Sequence, residues 1–282
     1  MNQSFGEIDI SIMTEKDFDF AVEMTDCEKW WYLRGDFEKL TAFEPEGCFV
    51  ARVDGRPAGI ITSTSYNDYA FVGTLIVKET HRNKKIGERL LRHAIGYLEN
   101  KGVKTIELDG VFAAVSLYRR LVFSDKYLSL RFFRPPAPVK RACEQLTPES
   151  ADDIVEFDLR QTGINRRRLL QRYLNEYKDA AFTVREPGLS AYAFARPRAG
   201  GFRAIGPLVA SNNKAAEKLV TGLISKYADT GLAMGVPEHN RMMVKLLFKH
   251  GFYYDLPSLR MYRGEKKEYE KNIYGILSPE KG

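Results

Sequence analysis

The stretch GTLIVKETHRNKKIGERLL, from Gly73 to Leu91, joins a strand pattern to a helix pattern through a basic loop. The basic side chains of the loop are Lys78, His81, Arg82, Lys84 and Lys85. The helix is expected to start near Ile86, where unpaired N–H groups and the helix dipole favour an anion. Gly87 in the first turn leaves the backbone open to close approach. These features predict a cradle for a pyrophosphate group; the alternative is a solvated basic loop that binds nothing.

The composition is that of a folded chain with a mild positive charge. Of its 282 residues 44% are hydrophobic, and 43 Lys and Arg against 37 Asp and Glu give a net charge of +6. This excess suits small anions as well as nucleic acid, but the basic residues cluster at one loop without a matching nucleic-acid-binding module. We therefore expect no nucleic-acid partner. The apolar runs are too short to cross a membrane and a signal-peptide core is absent, so we expect a cytoplasmic protein without a membrane partner.

Common catalytic and metal-binding motifs are missing from the sequence. It contains no GxGxxG, GxxxxGK[ST], HExxH or GxSxG segment. The cysteines Cys27, Cys48 and Cys143 form no CxxC pair, and the four histidines do not sit at metal-ligand spacing. We therefore expect neither a metal site nor a disulfide scaffold.

An internal repeat relates the two halves of the chain. SLRFFR at 129–134 returns as SLRMYR at 258–263, and the same offset of 129 positions brings 87–102 onto 216–231. RPPAPVKRA, at 134–142, is typical of a linker because its prolines suit neither a helix interior nor a central strand. We predict one fold in tandem copies, with domains at residues 1–136 and 143–282.

Hydrophobic periodicity predicts alternating strands and helices in each half. Strands are expected around 7–12, on both sides of Asp54-Gly55, and at 70–77, 105–109 and 126–134. Helices are expected from Thr14, at 37–43, at 86–100 and through 117–121, and the second half repeats the order with a helix at 213–227. The expected fold class is α/β (α+β), with a mixed, mostly antiparallel central sheet flanked by helices and a parallel βαβ unit at its centre.

The basic loop and the helix after it resemble motif A of the GNAT superfamily of N-acetyltransferases. That signature, Val-x-x-x-x-Arg-x-x-Gly-x-Gly/Ala, falls on Val77, Arg82, Lys85 and Gly87, with Lys85 in place of the first glycine. LDGVFAAVSLYRRLVF, at 108–123, is similar to the family's LDAT…LY-x-x-LGF stretch.

The second half resembles the GNAT-like C-terminal domain of two-domain acetyltransferases. The likeness lies in IGPLVA at 205–210, in HGF at 250–252 and in RMYRG at 260–264. Compared with the first half, its phosphate loop is four residues shorter, and Leu247 stands at the position of Tyr118. We infer that this copy keeps the fold without the usual cofactor binding.

The resemblance implies an N-acetyltransferase active in the first half, which transfers an acetyl group from acetyl-CoA to a primary amine by direct attack. The implied cofactor-binding residues are Leu75, Ile76, Val77, Arg82, Asn83, Lys84, Lys85, Ile86, Gly87 and Glu88. The tyrosine that matches the family's general acid is Tyr118, which would protonate the departing thiolate; the alternative role for Tyr118 is core packing.

Several points stay open at this stage. No general base is assigned, although Asp109, Asp36 and Asp68 are weak candidates. The aromatics Trp30, Trp31 and Tyr32 line an acceptor pocket or pack in the core. The residues 264–282 dock as a late strand or cross to the other domain.

The partners are equally open. The acceptor is a small-molecule amine, an aminoglycoside, a polyamine or a protein N-terminus, and the protein is a monomer or a homodimer. Because Lys85 and Val122 replace family glycines, an acyl-CoA sensor without strong catalysis is the alternative function.

Overall fold

The computed structural model describes residues 7–30, 32–138 and 151–282. In these ranges the strands are β1 (Ile8–Ile12), β2 (Phe49–Val53), β3 (Arg56–Tyr66), β4 (Tyr69–Val77), β5 (Thr105–Gly110), β6 (Ser124–Arg134), β7 (Ala181–Arg185), β8 (Leu189–Pro197), β9 (Phe202–Ala210), β10 (Gly231–Pro237), β11 (Tyr253–Gly264) and β12 (Ile273–Gly275). The helices are α1 (Phe18–Cys27), α2 (Arg34–Phe43), α3 (Ile86–Asn100), α4 (Val115–Arg120), α5 (Ala151–Thr162), α6 (Arg167–Glu176), α7 (Asn213–Lys226) and α8 (Arg241–Lys249).

The strands of the described ranges form one sheet. Its order is β1-β2-β3-β4-β5-β11-β6-β10-β9-β8-β7, and β12 pairs with β9 beside this path. The pairs β4–β5 and β9–β10 are parallel, and every other pair in these ranges is antiparallel. The predicted fold class, a mixed and mostly antiparallel sheet flanked by helices, is confirmed.

The two halves of the chain exchange strands at the centre of this sheet. β6 of the first half lies between β11 and β10, and β11 of the second half lies between β5 and β6. Ser129 pairs with Ser258, its own counterpart at the repeat offset, so a pseudo-twofold axis passes through this pair. Strands of the first and second halves therefore alternate at the centre of the sheet. The predicted division into domains at residues 1–136 and 143–282 stays a prediction.

Local sequence signals explain several element boundaries. α3 spans the predicted residues 86–100, and every apolar residue of its stripe is buried. Asp54 and Gly55 both have positive φ, which a tight hairpin between β2 and β3 requires. The amide of Thr14 donates to the carboxylate of Asp17 at 2.9 Å, yet α1 begins only at Phe18, after a short 3-10 turn.

Helices cover both faces of the sheet and enclose four apolar clusters. In the first half α3 and α4 pack on one face and α1 and α2 on the other. In the second half α7 and α8 pack on one face and α5 and α6 on the other. The cluster under α5 and α6 also contains Phe43, Tyr69 and Phe71 of the first half, so one hydrophobic core joins both halves.

The remaining fold predictions concern the linker and the membrane. Residues 135–138 form neither helix nor strand, and 139–142 of the predicted linker lie outside the described residues, as does Cys143. Within the described part of the chain, none of the helices has the length and apolar character needed to span a bilayer.

Candidate active site

The parallel strands β4 and β5 separate part of the way along their length. They pair from Tyr69 with Thr105 to Phe71 with Glu107; beyond that point β4 continues to Val77, still paired with β3 but no longer with β5. A bulge at Thr74, whose φ is +45°, adds one residue to β4 against β3. The backbone of 75–77 therefore faces a gap on the β5 side. The point where the strands part, next to Val72 and Leu108, is called the apex below.

The start of α3 lies at the open end of this gap, directly after the loop that follows Val77. Among the hydrogen bonds of the described residues, the backbone amides from Asn83 to Glu88 find no acceptor in the protein, and the amide of Arg89 is the first to join the helix, on the carbonyl of Lys85. Outward-facing amides at a helix start form an anion-binding mouth. The pyrophosphate cradle stays a prediction, and these amides are the donors that it would use.

The basic side chains of the mouth differ in their availability. Arg82 is paired with Glu28 and donates from Nε to the carbonyl of Val77 at 3.1 Å. Lys84 and Lys85 make no ion pair with any described residue, so both ammonium groups lack a counter-charge within the described protein. Lys85 also adopts φ +61°, the left-handed conformation that glycine takes without strain. The motif that this loop resembles has its first glycine at this position.

Gly87 faces inward rather than toward the mouth. A Cβ atom there would lie 3.5 Å from Cγ2 of Val77 and 3.8 Å from Cδ2 of Leu117, which are ordinary contacts. Alanine would therefore fit at this position. Gly87 is the point at which α3 comes close to both β4 and α4.

Tyr118 on α4 lies beside the carboxyl end of β5. Its side chain is buried, and a Cβ at Gly110 would lie 2.6 Å from Cε2 of the Tyr118 ring, so the ring rests on this glycine. Burial raises the pKa of Tyr118 to about 12. Its hydroxyl forms no hydrogen bond with the described residues, whereas its ring meets Phe123 edge-on at 6.2 Å. The hydroxyl therefore keeps its proton and has no hydrogen-bond partner among the described residues.

The predicted candidates for a base all have other partners. Asp109 accepts from Arg260 at 2.8 and 3.1 Å and from Ser129 at 2.6 Å. Asp36 accepts the amide of Leu33 at the start of α2, at 2.8 Å, and Asp68 pairs with Lys267 at 2.7 Å. The structure does not bring a free carboxylate from this group to the gap.

Residues of the second half reach the first half on the face opposite α3. Arg260 of β11 is fully buried and contacts Glu107 and Asp109 of β5. Residues 278–282, called the crossing segment below, lie on β4: a Cβ at Gly73 would be 2.3 Å from Cβ and 2.8 Å from Cα of Glu280. Gly73 is therefore required by this close backbone approach, while the bulge itself falls on Thr74.

Polar contacts hold the crossing segment in place. Tyr32 donates its hydroxyl to Glu280 Oε2 at 2.7 Å, and Lys281 Nζ lies 2.5 Å from Glu280 Oε1. Burial alone would raise the pKa of Glu280, but the Lys281 ammonium and the Tyr32 hydroxyl hold it at about 2. Tyr66 donates to the carbonyl of Lys281 at 2.9 Å.

Sequence reasoning found Tyr32 but not its partner. Tyr32 lies between α1 and α2 as expected, Trp30 packs against the core under these helices, and Trp31 lies outside the described residues. Glu280 is 248 positions from Tyr32 along the chain, and no local pattern marks such a contact. For residues 264–282 both predicted alternatives occur: β12 docks as a strand, and the crossing segment then passes to the first half.

The same gap exists in the second half, and there the protein itself fills it. β9 and β10 pair from Phe202 with Gly231 to Ile205 with Met234 and then separate. β12 lies between them, paired with β9, and the amide of Ile276 donates to the carbonyl of Gly235 on β10 at 2.8 Å. Across the described ranges, no group of three or more His, Cys, Asp and Glu side chains is arranged to hold a metal ion in either half.

Family comparisons match both halves of the chain. The profile of the "Acetyltransferase (GNAT) family" matches residues 16–123, and that of the "Acetyltransferase (GNAT) domain" matches residues 154–275. Together the two ranges cover most of the chain.

Individual relatives agree with these profiles over nearly the full length. Holothin acyltransferase of Pseudoalteromonas sp. (strain SANK 73390) is 26% identical over 263 residues, covering 91% of this chain and 88% of that protein. The crystal structure of a candidate acetyltransferase from Pyrococcus horikoshii is 26% identical, with a TM-score of 0.83 over 100% of this chain and 98% of that one. A tandem GNAT protein from the clavulanic acid biosynthesis pathway shares the fold at 13% identity, with a TM-score of 0.61 over 93% of this chain and 100% of that one.

Proposed function

Because the chain belongs to the GNAT family and is an acyltransferase, we propose that it is an acetyl-CoA-dependent N-acetyltransferase whose active site lies in the first half. The observation that carries this proposal is the convergence of three features on one opening. They are the β4 edge at 75–77 that β5 leaves free, the unpaired amides at 83–88 and the protonated hydroxyl of Tyr118 on the neighbouring helix α4.

The residues around the opening fit a carrier with a diphosphate and an extended amide-containing arm. The amides at 83–88 and the unpaired charges of Lys84 and Lys85 suit the diphosphate. The free backbone of 75–77 suits the arm, because peptide-like amides pair with an unpartnered strand edge. When bound, acetyl-CoA would supply the acetyl group as a thioester.

Tyr118 is suited to hold a proton for the leaving sulfur. With a pKa of about 12 the hydroxyl stays protonated at every physiological pH. It has no competing hydrogen bond among the described residues, so its proton is available to a thiolate within about 3 Å. Gly110 positions the ring, because any larger side chain there would push Tyr118 away.

The acceptor in this proposal is a primary amine that loses its proton before attack. An amine with a pKa near 10.4 is about one part in a thousand neutral near pH 7.4, at a cost of roughly 4 kcal/mol. Because Asp36, Asp68 and Asp109 are engaged elsewhere, we propose that the amine gives its proton to solvent rather than to one of these carboxylates.

Two measurements on the purified chain test the proposal. Calorimetry with acetyl-CoA is expected to give about one bound molecule per chain, and a thiol-release assay over a panel of amines is expected to show turnover. Binding of acetyl-CoA without release of free CoA thiol in the presence of any amine of the panel would favour the sensor alternative. That alternative rests on Lys85 and Val122, which stand where the family has glycine. An absence of binding at millimolar acetyl-CoA would remove the proposal.

A further inference from the structure

We propose that the crossing segment is a wall of the acceptor site that admits a small amine and excludes a polypeptide N-terminus. This inference rests on the function proposed above and names the substrate class of the same site. Its starting point is the direction of the carrier. If the diphosphate is held at 83–88, beyond Val77, the thioester end lies toward the apex, where Gly73 carries Glu280.

The acceptor has one side from which to reach the apex. On the α3 face the apex residues Val72 and Leu108 are buried in the cluster beneath α3 and α4. Gly73 faces the opposite side, as does Phe71, which packs in a different cluster. An acceptor amine must therefore approach past Tyr32 and the crossing segment.

The crossing segment takes the space that a polypeptide would need on this side. The Cα of Glu280 lies 2.8 Å from the position that a Cβ of Gly73 would take. Gly282 packs on the ring of Phe71, and a Cβ added to Gly282 would lie 2.2 Å from Cε2 of that ring. A peptide running over β4 would have to occupy the same positions. A small amine needs only the space above the gap itself.

Hydrogen bonds and strand pairing fix the position of the crossing segment. Within the segment, the amides of Lys281 and Gly282 donate to the carbonyl of Ser278 at 3.2 and 2.9 Å, which closes a compact turn. Directly before the segment, Arg196 of β8 donates to the carbonyl of Leu277 at 2.7 Å. At its centre, Glu280 is bound by Tyr32 and Lys281. β12, held between β9 and β10, anchors the segment from the second half.

The test uses two CoA conjugates and does not depend on knowing the acceptor. In the small conjugate the sulfur carries –CH2–CO–NH–CH3; in the peptide conjugate the same –CH2–CO– group joins the α-nitrogen of a hexapeptide. In the unmodified chain, calorimetry is expected to show the small conjugate binding about as tightly as CoA and the peptide conjugate at least about tenfold more weakly. In Glu280→Ala this difference is expected to fall below about threefold.

Glu268→Ala is the matched control, because Glu268 is an exposed carboxylate of residues 264–282 whose ion pair among the described residues is with exposed Lys266. It is expected to keep the full discrimination. Should Glu280→Ala fail to fold, hydrogen exchange on the unmodified chain serves instead. Saturating peptide conjugate would then strip protection from the amides of Lys281 and Gly282, while the small conjugate would leave it intact.

The outcomes separate the two proposals. Equal binding of both conjugates by the unmodified chain overturns the wall and leaves the acetyltransferase proposal standing. The wall is also overturned if Glu280→Ala still binds the peptide conjugate at least about tenfold more weakly than the small one, while the Lys281 and Gly282 amides stay protected from hydrogen exchange at saturating peptide conjugate. Failure to bind CoA itself removes the proposed function, and the wall with it.

Discussion

The two halves contain the same gap between parallel strands, and they use it differently. In the first half β4 and β5 part, unpaired amides lie at the start of α3, and Tyr118 rests on Gly110 at the end of β5. In the second half the chain's own β12 lies between β9 and β10, and Leu247 occupies the position of Tyr118. The same fold therefore presents one open gap and one filled gap, and we expect the chemistry at the open one.

The helix starts at the two gaps show the same contrast. In α7 the side chain of Asn212 accepts the amide of Ala215 at 2.9 Å, so the helix is capped from within. At the start of α3 the residue before the helix, Lys85, offers no such cap and the amides remain available. One helix start has its amide bound by its own cap residue, and the other leaves its amides without an acceptor among the described residues.

Separating the halves is expected to have the largest effect, because strand exchange makes each depend on the other. Residues 1–138 alone would lose β11 from the edge of β5, and Glu107 and Asp109 would lose Arg260. Glu107 would keep its ion pair with Lys126, but leaving the buried carboxylate of Asp109 without Arg260 costs about 3–5 kcal/mol. We expect neither half to fold alone, by circular dichroism and size-exclusion chromatography, and the two to co-purify as a folded complex when co-expressed. A monomeric, folded first half that binds acetyl-CoA would contradict this.

Tyr118→Phe tests whether the difference between Tyr118 and Leu247 is catalytic. Because the hydroxyl is the expected proton donor, kcat should fall about 100-fold or more while the Kd of acetyl-CoA stays within about twofold. Since Tyr118 keeps its proton up to a pH of about 12, the loss should be the same from pH 7 to 10. Tyr274→Phe is the control, a buried tyrosine of the second half whose hydroxyl donates to Asn213. Unchanged kcat in Tyr118→Phe would return Tyr118 to a packing role.

Charge reversal at the starts of α3 and α7 tests whether only the uncapped helix start binds acetyl-CoA. Lys85→Glu places a carboxylate beside the unpaired amides, and the Kd of acetyl-CoA is expected to rise at least about tenfold. Lys214→Glu makes the same change at the repeat-related residue, which is exposed at the capped start of α7, and no change in Kd is expected. Equal weakening by both variants would mean that the effect is one of overall charge.

The smallest effect is expected at the turns that follow α4 and α8. Val122 adopts φ +65° and Gly251, its repeat counterpart, φ +79°. A β-branched residue in this region is strained by about 1–2 kcal/mol, whereas glycine is not. Gly251→Val should therefore lower the free energy of unfolding by about 1 kcal/mol. Val122→Gly should raise it by less, because glycine also gains freedom in the unfolded chain. Urea unfolding measures both, and a loss of stability in Val122→Gly would be the contrary result.

Local features were predictable because each depends on neighbours in sequence. The apolar stripe at spacings of three and four defined α3 from Ile86 to Asn100, and Asp54-Gly55 defined the hairpin. Motif residues around Val77, Gly87 and Tyr118 indicated one opening; the structure places Gly87 beside Val77 and beside Leu117, the neighbour of Tyr118 in α4, and the roles of these residues stay a prediction.

The exchange of strands could not be predicted from the repeat. An offset of 129 positions is the same whether SLRFFR and SLRMYR stay in their own halves or cross over. Pairing of Ser129 with Ser258 is a choice between partners of nearly equal local preference, and it is made by the whole sheet. The roles of Arg260 and Glu280 follow from that choice.

From the amino acids alone came the periodicities, the turn residues, the doubled pattern and the basic helix start, since these express contacts within a few positions of the chain. Only the three-dimensional packing decided which gap stays open and which is filled by β12, and that Glu280 rests on Gly73. Contacts between residues so far apart in sequence carry no local signature, because their stability comes from burial and shape shared by the entire fold.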